Sequence, residues 1–259
     1  MTSSYGLRGR AAVVTGATRG IGLAVARALA DAGAQVCVSA RNADEVRRAA
    51  AELGAVGLAG SVADDGHPSA LTDLCLREFG RLDILVNNAA TNQPYGPLVD
   101  ADPDLWREAF TINVEAPLRL VQCAWHGWMR EHGGTVVNIC TEGATHVGPG
   151  VGAYGTSKAA LLHLTQQLAG ELGPGVRVNS VSPGLVRTEM ARFVWEPGEP
   201  DIASGLPLGR IGEPEDVARA VLWLCSDSAE WITGADLLVD GGTNVRRANT
   251  RDRYHLPGA

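Results

Sequence analysis

The stretch AAVVTGATRGIG, at residues 11–22, decides the fold. Its first five residues are apolar or β-branched, which predicts a strand, and the helical spacing of residues 23–32 predicts a helix. Gly16, Gly20 and Gly22 lie between the two. Strand, glycine loop and helix in this order are typical of a dinucleotide site, because glycines let a pyrophosphate approach the backbone at the positive end of a helix. A purely structural turn remains the alternative, since the spacing differs from the common Gly-x-Gly-x-x-Gly.

The residue after the second predicted strand, at 35–39, bears on the choice of cofactor. In dinucleotide-binding folds a carboxylate at this point binds the ribose 2′-hydroxyl, whereas an arginine accepts a 2′-phosphate. This chain has Ala40 and Arg41 there, and Arg19 stands in the glycine loop. Two guanidiniums suit a phosphate dianion, so the sequence predicts NADP(H). The alternative is that Arg41 only faces solvent.

Apolar runs and helical segments alternate along the rest of the chain, which predicts an α/β fold. We expect a single Rossmann-type, doubly wound parallel sheet of about seven strands with helices on both faces. The predicted strands cover residues 11–15, 35–39, 55–59, 82–86, 135–140, 176–182 and 237–239. With no break in composition, residues 1–259 are expected to form one dinucleotide-binding and catalytic domain. Within it, we predict a mobile substrate lid at 189–210 and a basic tail at 246–259.

The composition argues against several classes of function. The formal net charge of −7 disfavours nucleic acid and anionic membranes as main partners. No apolar run approaches the roughly 18 residues needed to span a bilayer. The five cysteines are widely spaced and the six histidines show no metal-ligand spacing, so we expect a reduced, cytoplasmic protein without a metal.

A second stretch, at residues 154–158, predicts chemistry. The chain contains 22 lysines and arginines, and Lys158 is its single lysine. Tyr154 lies four residues earlier, so the two share one face of the helix predicted over 153–172. An ammonium beside a phenol favours the phenolate, which predicts a lowered pKa for Tyr154 and proton transfer near neutral pH. A chance surface pair is the alternative.

Polar residues near the predicted strand ends complete the candidate site. Asn88 and Ala89 follow the fourth strand, and Thr141 follows the fifth. Because ligands bind at the carboxyl ends of parallel strands, we expect these residues near the cofactor.

Asn113 is a candidate for a different reason. It lies in a predicted helix four residues before Pro117, which has no N–H to bond the Asn113 carbonyl. The freed carbonyl is predicted to anchor a water. The alternative is that Pro117 merely starts a second helix.

The order and register of these motifs resemble those of the short-chain dehydrogenase/reductase family along nearly the whole chain. The resemblance rests on Thr15-Gly16-x-x-x-Gly20-x-Gly22, Asn87-Asn88-Ala89, Asn113, Tyr154-x-x-x-Lys158 and Pro183-Gly184-x-x-x-Thr188. It implies a seven-stranded Rossmann domain, a homotetramer, and hydride transfer between a nicotinamide and a carbonyl or alcohol.

The resemblance also implies a role for each motif residue. Tyr154 would give a proton to the carbonyl oxygen, and Lys158 would hold the nicotinamide ribose and lower the tyrosine pKa. Asn113 would hold a relay water, and Thr188 would contact the carboxamide. Thr141 stands where the family has a catalytic serine, and it keeps the hydroxyl that orients the substrate. The expected cofactor-binding set is Gly16, Thr18, Arg19, Gly20, Ile21, Gly22, Arg41, Asn88, Ala89, Tyr154, Lys158, Pro183, Gly184, Val186 and Thr188.

The expected function is NADP(H)-dependent oxidoreduction of a small-molecule carbonyl or secondary alcohol. Two branches of the family are similar, the 3-oxoacyl carrier-protein reductases and the NADPH-dependent carbonyl reductases. The docking arginines of the first fall at His132 and Gly175 here, which weakens that assignment. An NADP(H)-binding sensor without turnover stays open because of Thr141. A cofactor-free lyase or dehalogenase is disfavoured by the glycine loop and by Lys158.

Overall fold

The computed structural model describes residues 5–245 and contains one seven-stranded parallel sheet. The strands are β1 Ala11–Thr15, β2 Gln35–Ala40, β3 Val56–Ala59, β4 Ile84–Asn87, β5 Gly134–Ile139, β6 Val176–Pro183 and β7 Asp236–Val239. Their order across the sheet is β3-β2-β1-β4-β5-β6-β7. This confirms the predicted α/β class and the doubly wound parallel sheet.

Helices cover both faces of the sheet. They are α1 Gly20–Asp31, α2 Ala43–Leu53, α3 His67–Phe79, α4 Pro103–Phe110, α5 Ala116–Ala124, α6 Arg130–His132, α7 Gly152–Leu172, α8 Arg192–Trp195, α9 Glu199–Gly205 and α10 Pro214–Cys225. Two π-helical turns, Thr111–Glu115 and Trp125–Met129, join α4, α5 and α6 into one helical stretch. None of the described helices combines the length and the apolar character that a membrane crossing requires.

The sheet separates two buried clusters. Side chains alternate along a strand, so β1 sends Ala12 and Val14 to one face and Ala11 and Val13 to the other. The first face packs against α1 and α10, and the second against α3, α5 and α7. Burial on both faces explains why the strands read as apolar runs rather than as alternating patterns.

The direction of winding reverses between β1 and β4, which are neighbours in the sheet. Chain segments leave these two strands toward opposite sides, and a crevice opens at their carboxyl ends. All strands are parallel, so every strand-end motif identified in the sequence lies at this same edge.

A buried chain of polar side chains fixes α7 against the sheet. Asn87 Nδ2 donates to Asn138 Oδ1 at 2.8 Å, and Asn138 Nδ2 donates to Thr165 Oγ1 at 2.8 Å. Thr165 in turn donates to the Leu161 carbonyl within α7. Breaking hydrogen bonds between buried groups is costly. This hydrogen-bond network therefore sets the position of α7 along the sheet, and with it the position of the Tyr154–Lys158 segment.

Two of the sequence-based expectations concern the segments outside the sheet. The predicted lid, 189–210, is not irregular throughout, because it contains the short helices α8 and α9. Its mobility remains a prediction. The basic tail predicted at 246–259 lies outside the described residues.

Candidate active site

The glycine loop between β1 and α1 has the geometry of a phosphate cradle. Gly16 adopts φ 63° and Gly20 φ 54°, a left-handed region that favours glycine. A Cβ on Gly22 would lie 2.3 Å from the Gly16 carbonyl oxygen and 2.4 Å from Asn88 Nδ2. The backbone therefore passes so closely here that no side chain fits, and Thr18, Arg19 and Ile21 occupy the positions between the glycines. These residues fit a dinucleotide pyrophosphate.

Asn88 and Ala89 hold this loop from the end of β4. The Asn88 amide nitrogen donates to the carbonyls of Thr15 at 2.9 Å and Gly16 at 3.1 Å. The backbone N–H groups of Asn88 and Ala89 donate to Thr15 Oγ1 at 3.0 and 3.1 Å. The two strand-end motifs are thus one hydrogen-bonded unit.

The far end of the cradle carries free positive charge. Arg19 and Arg41 are both exposed, and neither side chain forms an ion pair or a hydrogen bond with a residue in the range 5–245. Most described arginines are paired with a carboxylate, for example Arg81 with Asp83 at 2.7 Å. Unpaired guanidiniums beside the predicted adenosine position fit a 2′-phosphate.

Lys158 lies at the opposite end of the crevice, on α7. Only 2% of the residue is exposed, and Nζ donates to the Ile139 carbonyl at the end of β5, at 2.7 Å. Nζ also lies over the Tyr154 ring, 5.9 Å from its centroid. Burial lowers the pKa of Lys158 to about 8, because desolvation disfavours the ammonium. The two residues paired in the sequence prediction are therefore close together, with Lys158 buried and Tyr154 partly buried.

The expectation of a lowered pKa for Tyr154 is wrong in this structure. Burial raises the pKa of Tyr154 above its ordinary value, and a hydrogen bond with Thr141 offsets only part of that increase. Lys158 is not among the groups that lower the pKa of Tyr154 in this structure. Tyr154 is therefore a protonated phenol near neutral pH.

Thr141 is brought to Tyr154 by the turn that follows β5. Its Oγ1 accepts from the Gly143 N–H at 3.3 Å and so starts the short 3₁₀ turn Glu142–Ala144. This turn packs against the Tyr154 segment of α7, where the Gly143 carbonyl oxygen lies 2.9 Å from the position that a Cβ on Gly155 would occupy. A hydrogen bond with Thr141 acts to lower the pKa of Tyr154, so the threonine at the position of the family serine lies beside the phenol.

Asn113 is fully buried in the first π-helical turn, and its side chain has a structural role that the sequence did not predict. Its Oδ1 accepts from the Thr91 N–H at 2.9 Å, and its Nδ2 donates to the Thr91 carbonyl at 2.8 Å. Nδ2 also lies 2.9 Å from Ser157 Oγ, and Ser157 Oγ donates to the Tyr154 carbonyl. Asn113 thus ties the loop after β4 to the Tyr154 turn of α7. Water binding by its backbone carbonyl remains a prediction.

Ser157 is a residue that sequence reasoning missed. It is completely buried between Tyr154 and Lys158 on α7. A serine in a helix interior is an unfavourable choice unless its hydroxyl has a partner. A serine in the interior of a predicted helix is therefore the sequence feature that could have identified Ser157.

The loop after β6 lies against the glycine loop and forms another side of the cradle. Pro183 is the last residue of that strand, and the Gly184 N–H donates to the Val239 carbonyl at 3.1 Å. Val186 is buried and bridges to Gly212. The Thr188 methyl lies 3.3 Å from the position that a Cβ on Gly20 would occupy. The predicted carboxamide contact and the glycine loop therefore border the same space.

An ion-pair cluster fastens the lid to this loop. Both terminal nitrogens of Arg187 donate to the Glu199 carboxylate on α9, each at 2.5 Å, and we call this pair the lid latch. Arg187 Nε donates to Glu213 Oε1 at 2.9 Å, and its guanidinium lies over the Trp195 ring. Trp195 Nε1 in turn donates to the Thr188 carbonyl at 3.0 Å. The lid is thereby attached directly to a predicted cofactor residue.

The other side of the lid touches the loop that follows β4. The rings of Tyr95 and Phe193 meet edge to face with centroids 4.9 Å apart. Asn92 Nδ2 donates to the Met190 carbonyl at 3.3 Å. Exposed apolar side chains therefore border the entrance to the crevice on both sides.

Fold and site together define a nucleotide-binding α/β protein with a Tyr–Lys pair beside a phosphate cradle. A family model described as Enoyl-(Acyl carrier protein) reductase matches residues 16–244. Dehydrogenase/reductase SDR family member 4 of Homo sapiens is 39% identical over 254 residues, which cover 95% of this chain and 91% of that protein. The protein of the same name from Caenorhabditis elegans is 35% identical over 251 residues, covering 92% and 96%.

Solved structures agree with these sequence matches. A short-chain type dehydrogenase/reductase from Mycobacterium ulcerans superposes with a TM-score of 0.87 at 33% identity, covering 93% of this chain and 92% of that chain. The chain belongs to the short-chain dehydrogenase/reductase family, which confirms the resemblance carried by its motifs. Its role is that of a dehydrogenase or reductase.

Glu199→Gln should loosen the lid, because glutamine keeps the shape of glutamate but loses the charge that faces Arg187. We expect cleavage by chymotrypsin after Phe193 to become roughly fivefold faster, as local opening becomes more frequent. The Michaelis constant for the substrate should rise while the maximal rate does not fall.

Glu196→Gln is the matched control for the lid latch. It removes the same charge from the same lid, but its partner Arg192 lies one turn away within the lid itself. Equal proteolysis of the two variants would show that the lid latch does not hold the lid.

Proposed function

We propose that the protein is an NADP(H)-dependent oxidoreductase that transfers hydride between the nicotinamide and a carbonyl or secondary-alcohol substrate. The observation that carries the proposal is the buried Lys158 ammonium 5.9 Å from the centroid of the Tyr154 ring, beside the turn that Thr141 starts at the end of β5. A phenol and a second hydroxyl on these adjoining turns can both donate to a carbonyl oxygen, which is what its polarisation requires.

The bound nicotinamide supplies the hydride, and the chain supplies the proton and the orientation. Tyr154 is protonated in the resting protein, so its hydroxyl donates to the substrate oxygen as negative charge develops there. Thr141 donates a second hydrogen bond to the same oxygen and orients the substrate. Lys158 holds the nicotinamide ribose, and its ammonium stabilises the phenolate that remains after proton transfer.

We assign the return of a proton to Tyr154 to the region around Asn113. The bulged helix around Asn113 has Pro117 in its next turn, which offers the Asn113 carbonyl no N–H. A water held by this carbonyl would connect Lys158 to solvent. The proposal takes this relay from the family resemblance, and the π-helical turn is consistent with it.

NADP(H) is preferred in the proposal because Arg19 and Arg41 have no carboxylate of their own among the described residues. Guanidinium pairs bind phosphate dianions strongly, and a free pair loses no internal ion pair on binding. NADH lacks the phosphate and would leave both side chains without a partner.

The substrate is proposed to be a small, largely apolar carbonyl compound or alcohol. Tyr95, Phe193 and Leu98 are between 40% and 55% exposed around the entrance to the site, where an apolar substrate would cover them. The proposal also includes a cytoplasmic homotetramer. Trp231, which is 96% exposed beside the edge strand β7, supports an assembly contact on that side.

A second candidate is an NADP(H)-binding sensor that does not turn over. The observation in its favour is Thr141 in place of the family serine, since the added methyl narrows the space above Tyr154. A spectrophotometric assay of NADPH oxidation over a panel of ketones and 3-oxoacyl esters separates the two. Tight NADPH binding with no oxidation of any ketone would favour the sensor.

NADPH should be preferred to NADH in both affinity and turnover. Ala40→Asp should reverse the preference, because a carboxylate there repels the 2′-phosphate and accepts the ribose 2′-hydroxyl. Steady-state kinetics with each cofactor would measure the change. A wild-type enzyme that uses NADH as efficiently would contradict the phosphate site at Arg19 and Arg41.

Thr141→Val should lower turnover by about a hundredfold or more, since it deletes one donor to the developing oxyanion and keeps the β-branched shape. NADPH affinity, measured by fluorescence titration, should change little. Thr141→Ser restores the family residue and should keep or raise the activity. A fully active valine variant would mean that another group orients the substrate.

A further inference from the structure

The first turn of α2 reaches across to the glycine loop through one hydrogen bond. Thr18 Oγ1 donates to Glu45 Oε2 at 3.0 Å. Asn42 caps this turn, since its Oδ1 accepts from the N–H groups of Asp44 and Glu45. This cap fixes the position at which α2 begins. The Glu45 carboxylate is thereby directed toward the phosphate cradle.

The two groups border a cleft of about 320 Å³ between the glycine loop and α2. Its lining residues are Thr18, Arg19, Leu23, Glu45, Arg48, Ala49 and Glu52. The cleft therefore continues the cradle on the side where Arg19 and the predicted adenosine ribose meet. Both acidic and basic side chains line this cleft.

These charges are not mutually neutralised. Glu52 is paired with Arg27, but within residues 5–245 the Glu45 carboxylate has no ion-pair partner and accepts a hydrogen bond only from Thr18. Arg19 and Arg48 line the same cleft and likewise lack a carboxylate partner in that part of the chain. One carboxylate and two guanidiniums thus remain available to a ligand.

We propose that Glu45 is a cofactor-specificity residue that disfavours the 2′-phosphate of NADP(H) and supports the 2′-hydroxyl of NAD(H). The inference rests on the proposed function, since it concerns the same nucleotide site. It assigns to Glu45 the carboxylate function that the position after β2 lacks in this chain. The fold supplies the acid from the first turn of α2 instead of from the strand end.

The physical basis is a competition for one hydrogen atom. The Thr18 hydroxyl can donate to one anion at a time, either the Glu45 carboxylate or a phosphate oxygen. A 2′-phosphate must displace Glu45 and then lie close to a carboxylate of the same sign. A 2′-hydroxyl leaves the Thr18–Glu45 bond intact and can itself donate to the second carboxylate oxygen. Arg19, Arg41 and Arg48 favour the phosphate, and Glu45 limits how strongly they do so.

The test compares Glu45→Gln with the wild type by fluorescence titration of NADPH and NADH, without substrate. We expect the variant to bind NADPH about fivefold more tightly or better, while its NADH affinity stays equal or falls. The gain should shrink at high salt because it is electrostatic. The ratio of the two affinities is the readout, so a general change in stability does not imitate the result.

Asp44→Asn is the matched control. It removes one negative charge from the adjacent position, but Asp44 pairs with Arg47 on the exposed side of α2. Its affinity ratio should stay near that of the wild type. If Glu45→Gln shifts the ratio no more than Asp44→Asn does, or shifts it toward NADH, the inference is overturned.

A second variant tests the competition itself. In a Thr18→Val background the hydroxyl is gone, so Glu45→Gln should improve NADPH binding less than it does in the wild type. An undiminished gain would contradict competition for the hydroxyl. Wild-type protein that binds neither nucleotide would instead contradict the proposed function and remove the basis of this inference with it.

Discussion

The buried ammonium of Lys158 is the constraint on which the site depends. A lysine that is 2% exposed loses most of its hydration, and its one strong compensation is the hydrogen bond to the Ile139 carbonyl at the end of β5. This bond is possible only when α7 lies at one height along the sheet. The hydrogen bond between Asn138 and Thr165 fixes that height a second time, two turns further along the helix. The geometry of the proposed catalytic site is therefore set by the packing of a helix on a sheet.

The same arrangement joins the separate loops into one unit. Asn113 ties the loop after β4 to the Tyr154 turn, and Asn88 ties the end of β4 to the glycine loop. Each of these is a buried or half-buried amide with partners on two elements, so removing one would leave unpaired groups on both. The lid is held differently, by the half-buried ion pair of Arg187 with Glu199. Water reaches this pair and weakens it, which is compatible with the predicted opening of the lid.

The sequence predicted the fold well, because it depends on local patterns. The strand bounds agree within two residues, and Lys158 Nζ lies over the Tyr154 ring as the helical spacing indicates. The roles of the candidate site residues remain predictions. The errors concern quantities that depend on packing. The pKa of Tyr154 depends mainly on its burial, which helical spacing does not reveal. Long-range contacts such as Thr18 with Glu45 and Arg187 with Glu199 join elements whose distance apart only the fold sets.

The most direct test of this account is the turnover and NADPH affinity of Lys158→Arg. An arginine keeps the positive charge, but its planar fork is larger than the space that a 2% exposed lysine leaves. It would also place its donors away from the Ile139 carbonyl. We predict that the variant folds, by circular dichroism, and loses about a hundredfold or more of its turnover, with weaker NADPH binding. An arginine variant with turnover near that of the wild type would contradict the central role of the buried ammonium.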